Sequence, residues 1–186
     1  MDVPVFELAR QWQQLKDEVN QAMAGVLETG QFILGENVTR IETELAALCG
    51  VEHGIGVASG SDALLLVLKA LGIGPGDEVI VPTFTFFATA GSVARTGATP
   101  VFVDIDPDTH NIDCDDVHRR LSMHTRAIIP VHLYGHPAEM DRMMELAEAH
   151  QLYVVEDCAQ AVCALHHDRP VGSIGHVGCL SFFPTK

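Results

Sequence analysis

Long apolar runs are missing from this sequence: the two longest, Ala63 to Leu68 and Phe84 to Ala90, are far too short to span a bilayer. The segment from Met1 to Glu7 has neither a basic nor an apolar region, so no export signal is visible and a cytoplasmic protein is expected. Basic residues are scarce, 11 Lys and Arg against 25 Asp and Glu, for a formal net charge of −14. That balance argues against a nucleic-acid or anionic-membrane partner, because phosphate-binding faces need clustered Lys and Arg. No block of like charge occurs, so the acidity is spread over solvated faces. The cysteines, Cys49, Cys114, Cys158, Cys163 and Cys179, form no CxxC pair. Four sit in apolar surroundings, which predicts buried thiols in a reducing compartment rather than disulfides or metal ligands. The closest histidine cluster, His166-His167, lacks a Cys or carboxylate at ligand spacing in the sequence, and no metal is expected. Repeats, low-complexity tracts and flexible linkers are absent too.

What is present is enough apolar sequence, 47% of 186 residues, for one sizeable core. Leu8, Trp12, Leu15, Val19, Met23 and Leu27 recur at spacings of three and four up to Gly30, which predicts a long amphipathic helix over the first thirty residues. A second helix is expected from Val38 to Leu48, ending at Gly50. Both precede the first strand, so residues 1–50 are expected to pack as a helical segment on the larger domain, 51–186, or on a partner subunit. From Gly54 onward, strand candidates at Gly54–Ala58, Glu78–Val81, Pro100–Val103, Thr125–Val131 and Leu152–Glu156 alternate with helices at Ala63–Leu71, Phe87–Thr96, Asp115–Leu121 and Ala138–His150. A last strand is read at Val177–Phe183. Alternation with continuous apolar strands indicates a three-layer α/β/α fold with a mostly parallel sheet covered on both faces. The chain stops at Lys186, directly after a strand and a Pro-Thr turn, where domains rarely end. A fragment, incomplete at its C-terminus, is therefore expected.

Open α/β sheets bind ligands at the carboxyl ends of their strands, so candidate chemistry is sought there. After the first strand come Ser59, Gly60, Ser61 and Asp62, leading into a helix. Small residues, a hydroxyl and free helix-start N–H groups suit an anion, although a plain helix cap uses the same residues. After the second come Phe84, Phe86 and Phe87, which could form a platform for a planar ring or simply belong to the core. Asp157 ends an apolar strand, where a carboxylate is costly without a purpose. Beside a protonated pyridine nitrogen it would hold that nitrogen cationic; a helix N-cap is the alternative. Lys186, following apolar residues, has the setting of an amine nucleophile, and Ser181 could reach the same anion as Ser61. Each signal alone is inconclusive. Together they supply the contacts that pyridoxal phosphate requires, in the order used by aspartate-aminotransferase-like enzymes.

The sequence also resembles the sugar-aminotransferase family called DegT/DnrJ/EryC1/StrS. The matching segments are Ser59 to Leu64, Gly76 to Phe86, Gly97 to Asp106, Val131 to Gly135, Val155 to Gln160 and Ser181 to Lys186. The resemblance implies the large domain of an aspartate-aminotransferase-like enzyme of pyridoxal-phosphate fold type I. It implies that Lys186 holds the cofactor as a Schiff base and then shuttles the proton, that Asp157 pairs with the pyridine nitrogen, and that Gln160 lies near the phenolic oxygen. Phe86 would stack on the ring, and Gly60, Ser61 and Ser181 would hold the phosphate. The implied reaction takes an amino group from an amino acid, usually glutamate, to a nucleotide-linked keto-sugar in amino-sugar biosynthesis, in an enzyme that is a homodimer when full length.

The sequence departs from the family at Val162 and Cys163, where His-Gly is frequent, and at His176, where the family often has Asp after Gly175. Lys186 argues against the dehydratase branch, which carries His there. Family active sites are built across a dimer interface with a C-terminal half, so the 186 residues alone are expected to be inactive. The rival from another class is a truncated non-catalytic homologue acting as a binding or regulatory module.

Overall fold

The protein is described by a computed structural model covering residues 7–184. Two helices come first, α1 (Ala9–Thr29) and α2 (Glu36–Cys49). Each stops at a glycine in the left-handed region, Gly30 at φ 67° and Gly50 at φ 69°, whose N–H closes the last turn on Val26 and Ala46. Helix α1 buries none of its residues: the stripe of Trp12, Leu15, Val19, Met23 and Leu27 lies exposed.

The remainder alternates as α3 (Gly60–Ala70), β1 (Glu78–Pro82), α4 (Ala88–Thr96), β2 (Thr99–Val103), α5 (Cys114–Arg120), β3 (Thr125–Ile128), α6 (Met140–His150) and β4 (Tyr153–Asp157). A short antiparallel hairpin, β5 (Leu165–His166) with β6 (Arg169–Pro170), precedes β7 (Val177–Cys179). The main sheet has five strands in the order β2-β1-β3-β4-β7, every pair parallel. Its strands are apolar on both sides, and side chains alternate between two cores. Val79, Val81, Ala127, Ile129, Val155 and Cys179 meet Leu64 and Leu68 of α3 and Val93 of α4. Ile80, Ile128, Val154 and Cys158 meet Val117 of α5 and Met140, Met143 and Ala147 of α6. These are the two outer layers of the expected α/β/α architecture.

From β1 the chain winds outward to β2, then returns past β1 to β3 and continues to β4. The winding direction thus reverses at β1 and β3, and a crevice at their carboxyl ends is the usual consequence in open parallel sheets.

Three readings of local structure need correction, the first being Thr125–Val131, whose strand ends at Ile128. Gly54–Ala58 is not a strand; Ile55 is 82% exposed. Its backbone is engaged by α2 instead of a neighbouring strand: the Gly56 N–H donates to Glu42 Oε1 at 2.6 Å, and a Cβ on Gly54 would lie 2.4 Å from the Glu42 carbonyl oxygen. The last strand is also shorter than read, ending at Cys179 rather than Phe183, because Phe182 and Phe183 are exposed and have no core to enter among the described residues.

Candidate active site

Adjacent residues of β4 serve opposite faces of the sheet. Asp157, the last of the strand, shares the face of Val155 and Cys179 and is 5% exposed. Its Oδ2 accepts from the Thr89 hydroxyl at 2.9 Å, and Oδ1 accepts the Ala159 N–H at 3.2 Å. Thr89 is fully buried in the first turn of α4, with its oxygen 3.0 Å from that of Thr85. A carboxylate can only accept, so the single Thr89 proton goes to Asp157 and the Thr85 hydroxyl must donate to Thr89. Among the described residues no helix follows Asp157, so it caps none; it is a strand-end carboxylate whose Oδ1 holds the turn at Ala159.

Glu156 points the other way and is completely buried. It accepts N–H groups from Gly172 at 2.8 Å, Ile174 at 2.8 Å and Gly175 at 2.6 Å, and lies 3.0 Å from His132 Nε2. His132 Nδ1 accepts the Ala138 N–H at 3.0 Å, so the ring proton must sit on Nε2 and point at Glu156. The pair is a neutral imidazole donating to a carboxylate. Burial pushes the Glu156 carboxyl up, but the His132 bond and the N–H groups of Gly172 and Gly175 outweigh it and hold the group below its ordinary value. This arrangement fixes the loop that leads into β7, and with it the position of Ser181.

The first turn of α3 packs beside the end of β7. A Cβ on Gly60 would stand 2.9 Å from Ser181 Cβ and 3.1 Å from the Leu180 carbonyl oxygen, so only glycine allows this approach. Ser59 is the N-cap: its oxygen accepts the Asp62 N–H at 3.1 Å, and its hydroxyl lies 3.0 Å from Asp62 Oδ2. The cap and the anion-binding reading thus divide between residues, Ser59 taking the first and leaving Gly60 and Ser61 at the helix start. The Ser61 carbonyl accepts the Ser92 hydroxyl at 3.2 Å, tying α3 to α4.

The three aromatics after β1 diverge rather than forming one platform. Phe84 meets His110 edge-on at 5.9 Å, and Phe87 lies over Gly91. Phe86 is 69% exposed. Gln160 is half-buried and accepts the Tyr134 N–H through Oε1 at 2.9 Å, joining the segment after β3 to the one after β4. Tyr134 adopts a left-handed conformation, φ 54°, and its ring is exposed.

Six of the residues singled out by sequence, Gly60, Ser61, Phe86, Asp157, Gln160 and Ser181, thus lie at the carboxyl end of the sheet or the adjoining start of α3. Lys186 lies outside the described residues. Sequence reasoning missed Thr89, Thr85, Tyr134 and the Glu156–His132 pair. The signal for Glu156 was its place next to Asp157: two acids in a row at a strand end must face opposite layers. The departure at His176 has a structural use, its Nδ1 accepting the Val154 N–H at 3.0 Å and its ring meeting Tyr153 at 5.3 Å. A shallow concavity beside β2, lined by Thr83, Asp104, Asp116, Arg119 and Arg120, includes none of the predicted residues. Its charges already pair, Arg119 and Arg120 with Asp116. No described helix is long and apolar enough to cross a membrane.

The model of the DegT/DnrJ/EryC1/StrS aminotransferase family matches residues 13–186. Over 186 residues, all of this chain and 50% of the relative, the sequence is 50% identical to a pleiotropic regulatory protein of Geobacillus stearothermophilus. It is also 50% identical over 184 residues to the UDP-N-acetyl-3-dehydro-alpha-D-glucosamine 3-aminotransferase of Acidithiobacillus ferrooxidans, covering 99% of this chain and 50% of that protein. Among solved structures, DesV of S. venezuelae in complex with a ketimine intermediate superposes with a TM-score of 0.95 at 46% identity, covering 98% of this chain and 49% of that one. The chain thus spans about half the length of the relatives it matches.

Proposed function

The chain belongs to the DegT/DnrJ/EryC1/StrS aminotransferase family, and on that premise we propose that the whole protein is a cytoplasmic, pyridoxal-phosphate-dependent enzyme that moves an amino group from glutamate to a nucleotide-linked keto-sugar. The observation that carries the reading is the Asp157 carboxylate, held by Thr89 at a strand end of the same sheet edge that brings Gly60 against Ser181. A buried anion that accepts from a hydroxyl suits a cationic ring nitrogen, and a glycine- and serine-lined helix start suits a phosphate. The residues present therefore fit the cofactor.

Gly60, Ser61 and Ser181 are the proposed phosphate contacts, Asp157 the partner of the ring nitrogen, Gln160 the neighbour of the phenolic oxygen, and Phe86 the ring's stacking partner. When bound, the cofactor supplies an electron sink and a carbonyl carbon that can carry the transferred nitrogen. Asp157 would keep a proton on the ring nitrogen, with Thr89 holding Asp157 in orientation. Lys186 is assigned from the sequence as the amine that anchors the cofactor and carries the proton.

Segment 1–50, as a unit apart from the domain 51–186, and the homodimer belong to the same proposal. The exposed apolar stripe of α1 supports them, since such a face calls for a cover from the rest of the protein or from a second copy. The 186 residues alone are accordingly proposed to be inactive; transamination by this piece without an added chain contradicts that.

A second reading, a non-catalytic regulatory module, has support in the name of the Geobacillus relative. Incubating the full-length protein with pyridoxal phosphate, glutamate and a panel of nucleotide-linked 3- and 4-keto-hexoses decides between them. Formation of an amino-sugar nucleotide supports the enzyme; no product from correctly folded, cofactor-bound protein supports the module.

A further inference from the structure

Two adjacent histidines on the β5–β6 hairpin meet a carboxylate from another element. The hairpin turns through His167 and Asp168, both left-handed at φ 46° and 65°, so the turn brings His167 round to the side of His166 instead of the opposite face. Their rings stand 4.4 Å apart. Asp141, in the first turn of α6, lies between them: Oδ1 is 3.4 Å from His166 Nε2 and Oδ2 is 3.5 Å from His167 Nε2. One ligand atom from each residue lies within 4.8 Å of the others.

We propose that Asp141, His166 and His167 form a binding site for a divalent transition-metal ion, with zinc as the representative. Two observations favour a metal over an ion pair. The separations of 3.4 and 3.5 Å are long for a charge-assisted hydrogen bond, which runs about 2.7–2.9 Å. Each imidazole nitrogen faces a different carboxylate oxygen, and the separations suit a nitrogen and an oxygen bound to one ion at about 2.0–2.2 Å, with the carboxylate binding through both oxygens. Second, His166 Nε2 is buried without a hydrogen-bond partner, a state polar side chains in folded proteins avoid and a bound cation resolves. The basic residue next to Asp141 does not compete: Arg142 is engaged by Asp115 and Glu139.

Two imidazoles and one carboxylate select zinc, cobalt or nickel over magnesium or calcium, which prefer all-oxygen sets. The open side, where His167 and Asp141 are 77% and 66% exposed, leaves room for water to complete the coordination. A bound ion would clip α6 to the hairpin between Gln160 and the loop held by Glu156. A second group among the described residues, His132, Glu156 and Cys158, is less suited because both His132 nitrogens and both Glu156 oxygens already have hydrogen-bond partners.

The test is calorimetric titration of zinc into metal-stripped, full-length protein, with cobalt absorption spectra as a second readout. The wild type should bind one zinc at this site, undisturbed by excess magnesium, and cobalt should give visible bands. His167→Ala and Asp141→Asn, both at exposed side chains, should each weaken that binding at least about tenfold and abolish the bands. His53→Ala and Cys163→Ser should change neither. No zinc uptake, uptake unaffected by the first two variants, or uptake lost with Cys163→Ser would overturn the proposal.

Discussion

Thr89 Oγ1 lies 2.9 Å from Asp157 Oδ2, joining the first turn of α4 to the end of β4 in the buried interior of the sheet edge. The link completes a chain of hydroxyls from Thr85 through Thr89 to the carboxylate, each bond polarising the next.

Replacing Thr89 with Val keeps the shape and removes the donor. Thr89→Val should cost about 1.5–3 kcal/mol of stability, as expected for a hydrogen bond to a charged group. It should also weaken pyridoxal-phosphate binding in the full-length protein. Chemical denaturation and cofactor titration check the two effects; unchanged values in both would mean that Asp157 needs no orienting partner.

Glu156 governs a different property. Glu156→Ala strips the acceptor from buried N–H groups and from His132 and should cost about 3–5 kcal/mol. Its folded pKa is lowered from 4.5, so the stability it adds is complete above the unfolded value and is lost as pH falls through the lowered folded value. Glu156→Gln should remove that part of the acid dependence, leaving a flatter stability profile below the ordinary carboxylate range. Denaturation midpoints measured across acid pH for both proteins provide the comparison.

Gly60 tests the close approach of α3 to Ser181. Gly60→Ala forces a Cβ to within 2.9 Å of Ser181 Cβ, an overpacking that typically costs about 1–3 kcal/mol. The helix start and Ser181 must separate, and cofactor affinity should fall about tenfold or more while the circular-dichroism spectrum stays that of the wild type. Equal affinity would show that the phosphate is held elsewhere.

The thiols should divide by exposure. Burial pushes Cys114 up to about 11 and Cys179 up to about 12, and raises Cys49 and Cys158 as well. Cys163 is exposed. Of these five, a maleimide should modify Cys163 first in the native protein and the others only on unfolding, as peptide mass mapping would reveal.

Much of this was legible in the sequence because burial on both faces leaves continuous apolar strands, as at Val79 to Val81 and Val154 to Val155. The amphipathic helices were equally plain, down to the glycines that end them. Gly54–Ala58 misled because a β-like run makes a strand only where a neighbour offers hydrogen bonds, and here Glu42 takes that place. The hairpin at His167-Asp168 escaped notice because its strands are two residues long and its left-handed turn uses no glycine. Asp157, Gln160, Gly60 and Ser181 were open to a sequence search because each ends or follows a strand or opens a helix. Thr89 could not: its hydroxyl is one of many in a helical segment, and only the fold carries it to a residue 68 positions away. The nearness of Asp141 to His166 is likewise tertiary.

The proposed function stands on Lys186 as the residue that would carry pyridoxal phosphate for amino transfer. The most direct measurement is the visible absorbance of the full-length protein with pyridoxal phosphate, before and after glutamate, beside Lys186→Ala. A visible band is expected in the wild type, one that glutamate bleaches and that the variant lacks. A correctly folded wild-type protein with no such band, or a band that persists unchanged in Lys186→Ala, would contradict it.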